Sequence, residues 1–423
     1  MVKLLSICVV HCRDLMATIV QKYGGTSVGT AERIRSVAAR VAATHQAGDD
    51  VVVVVSAMGY STDELIALAA EVTERNHPRE MDMLLTAGER ISMALCAMAI
   101  QDNGVPAMSL TGSQAGILTT SEHGSAEIID IRADRVRQGL ADRKVVIVAG
   151  FQGVDPIDKE ITTLGRGGSD ATAVALAAAL RADVCEIYTD VDGVFTADPR
   201  LVPDAEMIDE VTFEEMLELA GSGARVLMAR AVEFGRRNDI PIHVRSAFHH
   251  RPGTWVKETT MEEPIIRGIA HDTSEAKVTI QGVPDRPGLA AAFFEPLAEA
   301  GVNVDVIVQN VSMQGVTDIS FTVPLADASE AQRVVNEVNA TVGAVGVDVD
   351  ERIAKVSVVG AGMKSESGIA ARMFRILADE GINIEMISTS SIRISCIVRA
   401  EDVERAVRSL HESFLGGASE EGT

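Results

Sequence analysis

Four short stretches hold the residue types needed for chemistry on a small charged molecule. The first, Gln21-Lys-Tyr-Gly-Gly-Thr-Ser-Val-Gly29, sets Lys22 two residues ahead of a glycine pair. It is neither G-x-x-x-x-G-K-[ST], where lysine follows the glycines, nor the spaced G-x-G-x-x-G of dinucleotide folds. Taken alone it admits a tight turn after a strand or a backbone cradle for phosphate. The second, Thr162–Leu180, runs Gly-Arg-Gly-Gly-Ser-Asp straight into an alanine-rich helix, with Ser169 or Asp170 placed to cap it. Free N–H groups at that helix start, together with Arg166, make an anion site, and a plain cap does not need Gly-Arg-Gly-Gly before it. The third, Tyr188–Arg200, combines acids, a glycine and an arginine after an apolar strand. It lacks the glutamate that a calcium loop requires at the right distance; it admits a solvated turn, and its place beside the glycine loops favours nucleotide contact. In the fourth, Met83–Leu95, Gly88-Glu89-Arg90 interrupts an apolar helix. Those charges are a surface ion pair or, if the helix covers the site, Glu89 receives an ammonium group. The nine histidines form no H-x-x-x-H spacing and read as structural.

These stretches need a frame. From Met16 to about Ala247, strands such as Val51–Val55, Lys144–Val148 and Cys185–Tyr188 alternate with helical segments at Ala31–Ala43, Asp63–Glu74, Met81–Ile100 and Asp170–Leu180. Such alternation predicts an α/β fold with a mostly parallel sheet sandwiched by helices, whose ligands bind at the carboxyl ends of the strands. Gly24-Gly25, Ser56–Gly59 and Gly150–Gly153 all fall there. Ser246–Val256, polar and carrying Pro-Gly, reads as the exit from this domain. An internal repeat follows, one copy from Lys277 and the other from Lys355, pairing Gly288 with Gly368, Gly301 with Gly381 and Asn303 with Asn383. Each copy reads as a ferredoxin-like βαββαβ unit. The expected boundaries are an N-terminal extension over 1–15, a first domain over 16–247, a linker over 248–264, repeats over 265–350 and 351–412, and an acidic tail over 413–423. The extension precedes a second methionine, Met16, and reads as a disordered tag or an upstream-start artefact.

With 423 residues, two or three domains are expected. Hydrophobic residues make up 47% and aromatics only 3%, so Ala, Val, Leu and Ile must build the core. The net charge of −23 argues against nucleic acid and anionic membranes as partners, and a phosphorylated substrate would need a local basic cluster. Five scattered cysteines without a C-x-x-C pair point to a reduced, cytoplasmic chain without structural zinc. No apolar run reads as a membrane-spanning helix.

In order along the chain, K-Y-G-G-T-S, V-S-A-M-G, T-A-G-E-R, T-T-L-G-R-G-G-S-D and Y-T-D-V-D-G-V-F-T-A-D-P-R resemble the amino acid kinase family, specifically the aspartate kinases. The tandem repeat resembles their paired ACT domains, and the likeness covers residues 16 to about 412. It implies phosphoryl transfer from ATP, with Mg²⁺, to the β-carboxylate of L-aspartate. Lys22 and Asp170 would be catalytic. Lys22, Tyr23, Gly24, Gly25, Ser56, Thr189, Asp190, Phe195, Arg200 and Arg225 would meet ATP. Thr62, Glu89, Phe151, Arg166, Gly167, Gly168 and Ser169 would hold aspartate. Arg225 stands where the family usually has lysine, which alters the geometry but keeps the charge, and Phe195 stands where tyrosine is common.

The repeat implies feedback control by lysine, threonine or both, with Asp285, Gly288, Asn303, Gln309, Ile369 and Asn383 as the effector residues. A homo-oligomer is expected, and Met261 before the repeat admits an internally initiated regulatory subunit. The rival from another class is a catalytically silent amino-acid sensor, which would need a broken site. Other amino acid kinases would lack the repeat and the K-Y-G-G-T-S lead.

Overall fold

The computed structural model describes residues 16–75, 77–224, 226–258, 265–309, 315–364 and 366–416. The N-terminal extension, Arg225, Met261 and most of the acidic tail lie outside the described residues. Two compact units are present: residues up to Val194 with Met207–Ala220 and Arg225–Thr260, and the remainder, Phe195–Glu206, Gly221–Ala224 and Met261 onward.

The first unit begins with β1 (Thr18–Tyr23), α1 (Ala31–Gln46), β2 (Asp50–Val55), α2 (Ser61–Val72) and α3 (Pro78–Asp102). It continues with β3 (Ala107–Leu110), β4 (Ile117–Thr119), β5 (Ile128–Ile131), α4 (Asp134–Ala141), β6 (Val145–Ala149), β7 (Gln152–Val154) and β8 (Ile161–Thr163). It closes with α5 (Gly168–Leu180), β9 (Val184–Thr189), β10 (Glu210–Val211), α6 (Phe213–Gly221), α7 (Ala229–Asn238), β11 (Ile242–Ser246) and β12 (Thr254–Val256). Eight strands form the main sheet in the order β10-β12-β11-β9-β1-β2-β6-β3, and β5-β4-β7-β8 form a smaller one. The pairs β1–β2, β1–β9, β9–β11, β2–β6 and β3–β6 are parallel, as the alternation predicts, whereas β12 runs antiparallel to β11. β12 lies inside the stretch expected to be a linker, so the first unit extends past Ala247. Successive residues of a strand face opposite ways. Tyr23, Val51, Val53, Val55, Val145 and Ile147 therefore share one core with Val37 and Val41 of α1 and Cys96 and Ile100 of α3. The alternate valines 52, 54, 146 and 148 are equally buried on the other face, where α5 packs on β1, β2 and β9. α5 is buried from Gly168 to Ala177, which explains its run of alanines.

Contrary to the expectation that no apolar run could span a membrane, α3 has the length and composition to do so. Its buried residues include Asp82 and Glu89, and it packs on β3, β6 and β8, as a core helix does. Cys96, Cys185 and Cys396 are free and buried.

The second unit holds the repeats. It contains β13 (Gly268–Asp272), β14 (Glu275–Pro284), α8 (Leu289–Glu299), β15 (Ile307–Gln309), β16 (Val316–Pro324), α9 (Ala328–Val342) and β17 (Gly346–Asp350). Then come β18 (Ile353–Val359), α10 (Ile369–Asp379), β19 (Met386–Thr389), β20 (Arg393–Arg399) and α11 (Val403–Leu415). The sheets are ordered β15-β16-β14-β17 and β19-β20-β18-β13. The first repeat is a complete βαββαβ unit. The second ends at α11 and takes its fourth strand from β13, which pairs antiparallel with β18 as β17 does with β14. Residues 268–272, expected in the first repeat, thus belong to the sheet of the second.

The lysine that opens each repeat pairs with an acid of the other. Lys277 meets Glu385, and Lys355 meets Asp305 at 2.6 Å and Glu275 at 2.5 Å. Val306, Ile353, Met386 and Ile397 form the apolar cluster between the repeats. The Lys355 side chain is 1% exposed, against 17% for Lys277. Removing one partner of a buried ion pair strands the other charge. Lys355→Met should therefore lower the stability of this unit by roughly 3–5 kcal/mol, and Lys277→Met by less. Amide exchange along β14 and β18 in the full chain measures both.

Candidate active site

β1 lies between β2 and β9; the chain builds β2, β3 and β6 on one side of it and then β9 to β12 on the other. This is the topological switch point, where open α/β sheets bind ligands. Period-two alternation turns Lys22 to the face that α5 covers. Its Nζ lies 2.6 Å from Asp170 Oδ1, with both side chains nearly buried. The expectation that Ser169 or Asp170 caps α5 is corrected here. The N-cap is Gly167, left-handed at φ 73° with no side-chain cap bond, because the Asp170 carboxylate is drawn to Lys22. A side chain at Gly167 would also run into Met228.

The neighbouring turns close around this pair. A Cβ on Gly24 would sit 3.4 Å from Lys22 Nζ, and one on Gly25 would sit 3.0 Å from the Ala57 and Gly59 carbonyl oxygens. The Gly59 N–H donates to the Gly25 carbonyl at 2.9 Å, and the Ser56 N–H to the Tyr23 carbonyl at 3.1 Å. The Ala57 N–H in turn donates to Glu89 Oε1 at 3.1 Å. Gly88 allows this approach, since a Cβ there would lie 2.8 Å from the Ala57 Cβ. On the other side of Lys22, Ser169 packs against Gly150 and Phe151 against Gly168. Phe151 holds φ 68°, uncommon for a bulky residue. Its N–H donates to Thr172 Oγ1 at 3.2 Å, and its carbonyl accepts from Leu164 at 2.9 Å. Glu89, Ala57, Gly25, Gly24, Lys22, Asp170, Ser169 and the loop carrying Arg166 are thus linked neighbour to neighbour.

Within this linked set, the charges of Arg166 and Glu89 are the ones left for a ligand among the described residues. Arg166 is exposed. Glu89 is 3% exposed, and its Oε2 has no partner among the described residues. Burial drives its carboxyl up to about 7, against the lowering effect of the backbone N–H bonds from Glu89 and Ala57. A buried carboxylate oxygen without a donor fits a cationic ligand.

Other expected residues are placed differently. Tyr23 is fully buried, with its ring stacked on Tyr188 at 4.6 Å, so its side chain belongs to the core and only its backbone faces the glycine turn. Thr189, half-buried at the end of β9, donates to Asp190 Oδ1 at 3.1 Å. Phe195 and Arg200 fall in the segment that belongs to the second unit, where Arg200 pairs with Asp198 at 2.7 Å. Thr62 opens α2, a helix without a buried residue. In the second unit, Asp285, Gly288 and Gln309 lie toward the β14 exit. Asn303 lies at the opposite end of that sheet, beyond Asp305, whose N–H bonds to the Thr322 carbonyl. Ile369 opens α10, and Asn383 follows that helix in the second repeat. The six effector residues therefore do not form one cluster within a single repeat. Asp82 was not anticipated. It lies two turns before Glu89 on α3, and an acid at heptad spacing on an apolar helix was the available signal.

Glycine turns, a nearly buried lysine and a loop with an exposed arginine at one switch point fit a phosphotransferase that works by positioning and charge neutralisation. The amino acid kinase family model matches residues 17–246, and an ACT domain model matches 278–338 and 356–414. The aspartokinase of Mycolicibacterium smegmatis is 56% identical over 412 residues, covering 96% of this chain and 98% of the relative. That of Pseudomonas aeruginosa is 52% identical over 403 residues, covering 94% and 98%. The solved structure of E. coli aspartokinase III with aspartate and ADP matches with a TM-score of 0.82 at 28% identity, over 94% of this chain and all of that one. The same enzyme with lysine and aspartate matches with a TM-score of 0.74 at 29% identity, over 94% and 99%. The chain belongs to the amino acid kinase family and, within it, to the aspartokinases.

Because the folded-state value of Glu89 is raised, the stability its protonated form contributes is full below about 4.5 and lost as pH rises through about 7. Glu89→Gln removes that loss. It should be more stable than the parent at pH 8, by up to about 3 kcal/mol, and equal to it near pH 4, as read by denaturant unfolding at the two pH values.

Proposed function

We propose that the chain transfers the γ-phosphoryl group of ATP to the β-carboxylate of L-aspartate, giving 4-phospho-L-aspartate, the first step toward lysine, threonine and methionine. The observation that carries this reading is the Lys22–Asp170 pair, set between the glycine turns and the anion loop. A carboxylate is already an ionised nucleophile, so the site needs no strong base; it must align two anions and offset their repulsion. Lys22, held in place by Asp170, faces the transferring group, and the Gly24 and Gly25 amides cradle phosphate oxygens. Glu89 takes the α-ammonium on its free oxygen, Arg166 takes the α-carboxylate, and Phe151, Gly167, Gly168 and Ser169 shape the loop between them. Mg²⁺ bound to the nucleotide would supply further neutralisation, with Asp190 as the exposed carboxylate nearest in sequence to the β9 end. Lys22 and Arg166 supply the local positive charge that a −23 chain requires. A silent sensor is disfavoured, since it would require a broken site and Lys22, Glu89, Arg166 and Asp170 are all present in the sequence.

An ATP-dependent hydroxamate assay with L-aspartate tests the reaction. Lys22→Ala should lose about 10²–10³-fold in kcat, and undiminished turnover would remove Lys22 from the mechanism. Glu89→Gln and Arg166→Lys should raise the aspartate KM far more than the ATP KM, each by about 1.5–3 kcal/mol. Only ionised Glu89 pairs with an ammonium group, so kcat/KM for aspartate should fall below pH about 7, and Glu89→Gln should flatten that limb.

The repeats make a feedback site for lysine, threonine or both. An effector there acts by favouring a less active state. Asp285→Ala and Gln309→Ala should therefore abolish inhibition in the same assay while leaving uninhibited turnover intact; full inhibition in both variants would place the pocket elsewhere.

A further inference from the structure

We infer that Asp82 is a positioning residue for aspartate, setting the loop that carries Arg166; this rests on the assignment of Arg166 to the substrate α-carboxylate. Asp82 is 1% exposed, and both its oxygens are engaged. Oδ1 accepts from Thr163 Oγ1 at 2.5 Å and from the Gly124 N–H at 3.1 Å. Oδ2 meets His123 Nδ1 at 2.7 Å and the same N–H at 3.3 Å.

Thr163 is the last residue of β8, three positions before Arg166. The Ala126 N–H donates to the Thr163 carbonyl at 2.9 Å, and a Cβ on Gly165 would lie 3.0 Å from the Gly124 carbonyl oxygen. Arg230 ties the same segments, donating to the Leu164 carbonyl at 3.0 Å and the Ala126 carbonyl at 3.1 Å. Residues 123–126 and 163–165 are thus laced together, with the Asp82 carboxylate as a shared acceptor.

A buried carboxylate on an apolar helix face is costly unless its donors are fixed, so Asp82 holds its donors as firmly as they hold it. Asp82 and Glu89 are seven positions apart, about 10 Å along one rigid helix and on the same face. One helix therefore presents the ammonium receptor directly and fixes the carboxylate receptor through the loop. The distance between the two ends of the amino acid is set by α3, which selects substrate length as well as charge.

The test compares Asp82→Asn, Thr163→Val, Thr163→Ser and Arg166→Lys by steady-state kinetics in the full chain, with thermal melting as the fold control. Asp82→Asn and Thr163→Val should raise the aspartate KM about tenfold and the ATP KM less than twofold, and Thr163→Ser should restore the parent value. The Asp82→Asn/Thr163→Val double variant should be no worse than the poorer single one, since both break one contact. If Arg166→Lys raises the aspartate KM while Asp82→Asn and Thr163→Val stay within twofold of the parent, the inference fails and the site assignment survives. If Thr163→Ser does not restore the parent value, or the ATP KM rises in step, the role is structural and the inference is overturned. If Arg166→Lys leaves the aspartate KM unchanged, the assignment beneath it falls and takes the inference with it.

Discussion

The ion pair between Lys22 and Asp170 joins the central strand of the sheet to the first turn of the helix that covers it. Each charge alone would be costly at that depth. Together they fix where β1 ends, where α5 begins, and hence where the two glycine-bearing turns meet. Gly167 takes the left-handed cap because the residue that would otherwise cap the helix is committed to the lysine. In the function proposed above the pair is also the point at which stability and chemistry coincide, since the cation that anchors the helix is the one that would face the phosphoryl group.

A second constraint comes from α3. The helix is apolar enough to be mistaken for a membrane segment, yet it brings two acids into the protein with opposite treatment. Asp82 is saturated with donors and is spent on architecture, whereas Glu89 keeps one oxygen without a partner among the described residues. Burial with full hydrogen bonding makes a hub; burial with incomplete bonding leaves capacity for a further donor. The difference lies in what surrounds each carboxylate and not in residue type.

That distinction marks how far the sequence could be read. The parallel sheet, the carboxyl-end position of the glycine turns and the repeat pairs were legible, because strand alternation, turn glycines and an internal repeat are local signals. Gly288 and Gly368 both prove to be left-handed caps, of α8 and α10. What escaped depends on tertiary partners. Asp170 looks like a cap until Lys22 is beside it, Tyr23 looks like part of the phosphate loop until Tyr188 stacks on it, and Asp82 is silent until β8 and the 123–126 segment arrive. The linker reading failed over Thr254–Val256 because Pro-Gly and histidines hide a three-residue strand between β10 and β11.

The repeats show a further limit of linear reading. A boundary between residues 350 and 351 is natural by self-similarity, but β13 precedes the first repeat and completes the sheet of the second. The first repeat is therefore an insertion within the second, and its own strands close on themselves before β18 begins. A fragment begun at residue 351 would leave β18 with an open edge, the kind of edge that invites non-native pairing. The reciprocal pairs Lys277–Glu385 and Lys355–Asp305 then tie the inserted repeat back to its host. Because each pair takes its lysine from one repeat and its acid from the other, a change in the docking of the two must alter both together. The two small domains are joined into one body by this route, with Lys355 as the more deeply buried of the two lysines.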